Sequence, residues 1–118
     1  MDFHFSAALT HIDLGNYDKA VQNLELAIKA ETDSGNMENA MQCTCVLAEL
    51  LSKIDKEDKA FEEFSKVISY CNMTNTLPRQ RKIASDFIEV YKLRHGTGKR
   101  TSDKGGSSSA VMSDKFLQ

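Results

Sequence analysis

Apolar residues recur along the first 95 positions at the spacing of a helix face, interrupted by short polar clusters. In YDKAVQNLELAIKA, residues 17–30, Tyr17, Ala20, Val21, Leu24, Ala27 and Ile28 share one face. Asp18, Lys19, Gln22, Glu25 and Lys29 share the other. The register returns 40 residues on in EDKAFEEFSKVISY, 57–70, where Ala60, Phe61, Phe64, Val67 and Ile68 face inward and Lys59, Glu62, Glu63 and Lys66 face water. Glu62 and Lys66 stand in the favourable i, i+4 order for an ion pair.

Around these two stretches the pattern predicts three more helices. FHFSAALTHIDL comes first, with a stripe of Ala7, Ala8, His11 and Leu14 expected to pack on the helix after it. Gly15 and Asn16 supply a tight turn, because glycine ends a helix in the left-handed region without a Cβ penalty. Helix two runs to about Thr32 and stops at DSGN, with Gly35 as its C-terminal cap. Helix three, 37–54, is apolar nearly all round (Ala40, Met41, Cys43, Cys45, Val46, Leu47, Ala48, Leu50, Leu51, Ile54), so it belongs buried between helices two and four. Helix four is expected to end near Cys71, broken by NMTNTLP, and Pro78 to open helix five. There Ile83, Ala84, Phe87, Ile88, Val90 and Tyr91 form one face, which ends near His95 and Gly96.

From Gly96 onward the chain is rich in Gly, Ser and charge and poor in apolar residues, which predicts a disordered tail over 96–118. Val111, Met112, Phe116 and Leu117 leave a weak apolar trace in it, and Lys99, Arg100, Thr101 and Ser102 resemble a basic-directed phosphorylation site. Helix pairs repeating at this period with no strand signal imply an all-α superhelix of about five antiparallel helices, each unit burying its face against its neighbours. The domain spans 3–95, in units 3–36 and 37–76 with a capping or partial-repeat helix at 79–95.

Composition narrows the chemistry. No run of 18 apolar residues and no cationic start with an apolar stretch is present, so neither a membrane span nor a secretory leader is indicated. Three cysteines, Cys43, Cys45 and Cys71, read as reduced, buried thiols of a cytoplasmic or nuclear protein. Cys43 and Cys45 lie two apart on a helix, too far round it to share a metal. His4, His11 and His95 are dispersed, and no nucleophile with a base, paired carboxylates or metal set is grouped, so no enzyme, cofactor or metal is expected. GTGKRT at 96–101 lacks the spacing and the preceding strand of a phosphate loop. The chain is acidic over 1–75, with six Lys and thirteen acids, and basic over 76–118, with nine Lys or Arg and four acids. Few aromatic residues interleave with those cations, which argues for an acidic protein surface or solvated charge over nucleic acid.

The first unit, with Ala8, Leu14, Gly15, Tyr17, Ala20, Leu24 and Ala27, resembles a tetratricopeptide repeat. The second keeps Leu47, Ala48, Leu51, Ala60 and Phe64 but has Asp55 and Glu57 where the glycine and aromatic would stand. The 40-residue period is similar to the longer-helix variety of that family. The resemblance implies a scaffold or adaptor that holds a peptide or helix of another protein in a groove. Phe5, Leu9 and Ile12 are its expected apolar wall, and Glu49 and Lys53 the contacts offset by 40 residues, near Cys45 and Ser52. Family members that clamp a terminal carboxylate use Lys and Asn where Phe5, Leu9, Cys45 and Glu49 stand here, which argues against that ligand. The alternative is a segment of a larger solenoid that caps or dimerises, with self-association or further repeat units as its partner and no small-molecule substrate.

Overall fold

A computed structural model of the chain describes residues 3–95, and among these residues it is all helix and connecting turn, without strand. The helices are α1 (Phe3–Asp13), α2 (Tyr17–Asp33), α3 (Met37–Lys53), α4 (Glu57–Thr74) and α5 (Pro78–Arg94). Helix α1 packs on α2, α2 on α3 and α3 on α4, the neighbour-to-neighbour burial of a helical solenoid. The chain divides into two units between Phe87 and Ile88, so the boundary lies inside α5. The tail 96–118, with its apolar trace and phosphorylation motif, lies outside the described residues.

The turns explain how the successive helices are laid side by side. At the end of α1, the Asn16 N–H reaches the His11 carbonyl at 2.8 Å and the Gly15 N–H reaches Ile12 at 3.1 Å. After α2 the Asn36 N–H meets Glu31 at 2.8 Å and Gly35 meets Thr32 at 3.0 Å, and after α3 Lys56 meets Leu51 at 2.8 Å. These pairs of bonds are Schellman closures, which need a left-handed residue just beyond the helix. Gly15 and Gly35 supply it at φ 79, and Asp55 supplies it at φ 65 with a Cβ in place. The Asp55 N–H contact to Ser52, at 3.4 Å, is the longest of the three. Asp replaces glycine here because its short polar side chain tolerates this backbone region better than most residues do.

The same closure repeated every 20 residues places equivalent side chains inward. Ala20, Ala40 and Ala60, the fourth residues of α2, α3 and α4, are fully buried, and each N–H donates at 3.0 Å to the carbonyl before its helix, Asn16, Asn36 or Lys56. Leu24 and Phe64, and Ala27 and Val67, are buried at matching positions of α2 and α4, each large side chain contributing about 1.5–3 kcal/mol by leaving water. Helix α3 is buried nearly all round through Ala40, Cys43, Thr44, Cys45, Leu47, Ala48, Leu50 and Leu51, as its composition predicts. Glu31 also lies inward, at 7% exposure. Its Oε1 accepts the side-chain amides of Asn36 at 3.1 Å and Asn39 at 3.4 Å, which lowers the cost of burying a carboxylate.

Three expectations are corrected. Helix α4 passes through Asn72 and Met73 to Thr74, because the stop is set by Asn75, left-handed at φ 57 with its N–H on Cys71 at 2.7 Å. The Thr74 hydroxyl, donating back to the Tyr70 carbonyl at 2.8 Å, keeps that last turn closed. Leu14 is 68% exposed, because α1 ends at Asp13 and the turn carries Leu14 off the inward stripe; of that stripe only Ala8 is fully buried. Lys66 pairs with Glu63 at 3.2 Å, one residue nearer than Glu62. Leu77, before Pro78, is left-handed at φ 53 and buried, and its carbonyl accepts the Cys71 thiol at 3.6 Å. In α5, Ala84 is buried and the Phe87 ring lies 4.7 Å from that of Phe64.

Candidate partner-binding surface

Ala8 is the residue α1 commits to the core, and its small side chain lets the helix lie close to α2. Phe5, Leu9 and Ile12, a turn apart from one another, fall beside that contact line. Phe5 and Ile12 are half-buried and Leu9 is 42% exposed, so the stripe is an apolar ledge with its outer edge in water. Glu49 and Lys53, one turn apart on α3, are exposed. The Lys53 Nζ lies 5.7 Å from the centroid of the Tyr17 ring, a cation–π contact that ties the end of α3 to the start of α2. Tyr17 reads from its spacing as a core residue. It is half-buried and serves as the platform for Lys53.

Cys45 does not join this surface: it is almost fully buried, and Ser52 is half-buried. Burial pushes the Cys45 thiol up to about 12, with the nearby charges of Glu49 and Cys71 adding to the rise and Arg79 opposing it. Cys71 is likewise raised by burial, against the pull of Arg81. Both thiols are therefore held neutral and poorly nucleophilic. Cys43, Cys45 and Cys71 are buried thiols outside any disulfide, and among the described residues no group of three or more His, Cys, Asp or Glu is gathered as for a metal ion. What the exposed groups can do is hold apolar and charged side chains of another molecule.

Residues 2–34 match the model of the tetratricopeptide repeat family. That segment is similar to a tetratricopeptide repeat. It occupies α1, the Gly15 turn and α2, the segment that holds Phe5, Leu9, Ile12 and Tyr17. Tetratricopeptide repeats are protein-interaction modules, which supports a role of that general kind for this chain. No curated protein and no solved structure matches it. None of the described helices is long and apolar enough to cross a membrane.

Proposed function

We propose that this chain is a scaffold or adaptor that holds a peptide or helix of a partner protein against the α1 ledge, with Phe5, Leu9 and Ile12 as the apolar contacts and Glu49 and Lys53 as the polar ones. The observation that carries the reading is the ledge itself: a half-open apolar stripe within the tetratricopeptide repeat, next to the residues the repeat buries. The reading requires no catalysis and no cofactor, and it fits a cytoplasmic or nuclear setting. The test is selection of binding peptides from a displayed library, followed by Leu9→Glu with Ile12→Glu. Selected peptides are expected to lose binding at least tenfold, about 1.4 kcal/mol, while the helical circular dichroism is kept. Peptides that bind the doubly substituted protein equally well would sink the assignment.

A second reading rests on the rim of α1, where Phe3 is 78% exposed and Leu14 is nearly as open. An apolar rim of this kind suits stacking on a further helical unit or on a second copy. A light-scattering mass that stays at that of a monomer up to high concentration would remove the second-copy form of it.

A further inference from the structure

Away from the ledge, the flank of α4 and the first turns of α5 enclose an open cavity of about 430 Å³, lined by Ile68, Asn72, Pro78, Arg81, Lys82, Ser85 and Asp86. Ile68, half-buried, and Pro78 make its apolar part. Its cations are lightly held. Arg81 uses one Nη1 donor on the Asn72 side-chain oxygen at 3.4 Å, out of the five its guanidinium has. Lys82 pairs with Asp86 at 3.1 Å, both side chains being mostly in water, a contact worth little and readily exchanged.

The local charge is opposite to that of residues 1–75. Over 78–87 the chain has Arg79, Arg81 and Lys82 against one carboxylate, Asp86, whereas residues 1–75 carry thirteen acids against six Lys. The positive end of the α5 dipole adds to the same sign. A nucleic acid is the poorer fit, because none of the lining residues is aromatic and could stack a base, and the whole chain is net negative. The volume suits one or two side chains of a partner, an anchor point.

We propose that this α4–α5 groove is a second docking site, and that its occupant is an acidic segment of a partner protein. An aliphatic side chain of that segment rests on Ile68 and Pro78, a carboxylate takes Arg81, and a further carboxylate displaces Asp86 from Lys82. The site is separate in residues from the α1 ledge, so the two readings stand or fall independently.

The experiment is fluorescence anisotropy with a labelled short peptide of Glu residues around a central Leu, titrated with the full chain at low and at high salt. Binding that weakens with salt, falls about tenfold in Arg81→Glu with Lys82→Glu, and tightens in Asp86→Asn is expected, with Leu9→Glu/Ile12→Glu unaffected. Arg81 and Lys82 are exposed, so their replacement leaves the core intact; unchanged helical circular dichroism checks this. The proposal is overturned if the peptide fails to bind, if its Gln-for-Glu counterpart binds equally well, if Arg81→Glu/Lys82→Glu binds as the parent does, or if a single-stranded oligonucleotide binds the parent more tightly than the peptide.

Discussion

Set beside each other, the two helix pairs carry opposite strengths. The pair α1–α2 has the family's turn chemistry, Gly15 followed by Tyr17, and is the pair the repeat model matches. Yet it buries only Ala8, Ala20, Leu24, Ala27 and Glu31. The pair α3–α4 has Asp55 and Glu57 at the corresponding places and lies outside the matched residues 2–34, but it buries most of the circumference of α3 and, in α4, Ala60, Phe64, Val67 and Cys71. Turn residues leave a legible signature because few side chains tolerate a left-handed backbone. Core residues need only be apolar and of suitable volume, so the better packed pair is the less recognisable one.

The largest expected effect breaks that contrast or confirms it directly. Phe64→Ala should cost about 3–5 kcal/mol, and Leu24→Ala, at the matching place in the first pair, less, about 2–4 kcal/mol. Urea unfolding followed by circular dichroism measures both, and a larger loss from Leu24→Ala would reverse the assignment of the core to the second pair.

A smaller effect tests the turns. Asp55→Gly should raise stability by about 1–2 kcal/mol, since glycine adopts φ 65 without the Cβ penalty, while Gly35→Ala should lower it by a similar amount. No heavy atom lies within 4 Å of a Cβ built at Gly35, so any loss there is conformational and not a clash. Equal denaturation midpoints for Asp55→Gly and the parent would show that Asp55 carries no strain.

The smallest effect concerns the thiol. Cys45 keeps its proton in the folded chain up to about pH 12, while an unfolded thiol loses it near the ordinary value of 9.0. The stability this supplies is complete below pH 9 and declines as pH rises from there toward 12, because the unfolded chain then binds fewer protons than the folded one. The parent should lose about 1 kcal/mol more than Cys45→Ala between pH 9 and pH 10 in urea titrations at the two pH values. Parallel losses in the two proteins would count against burial of the neutral thiol.

Period and register were legible because helices buried on one side must alternate polar and apolar faces. The last turn of α4 was not. Asn72, Met73 and Thr74 are exposed and carry no periodic signal, and the stop depends on the backbone of Asn75. The ledge was visible as a stripe of Phe5, Leu9 and Ile12, and Cys45 as a buried thiol, but the half-exposed place of Tyr17 under Lys53 was not, since it depends on which azimuth of α2 its neighbours cover. The Arg81 and Lys82 groove was visible only as a concentration of cations, because the cavity exists only once Ile68 and Asn72 from another helix stand opposite.

The alanines that open α2, α3 and α4 do more than fill space. Ala20, Ala40 and Ala60 have no surface left in water, so a single methyl group sets how near the start of each of these helices comes to whatever packs on it. They act as shims. A thicker side chain at any one of them would tilt the helices after it as a block, and a change of one carbon at position 20 would be felt as a displacement at α4, where none of the atoms had been altered.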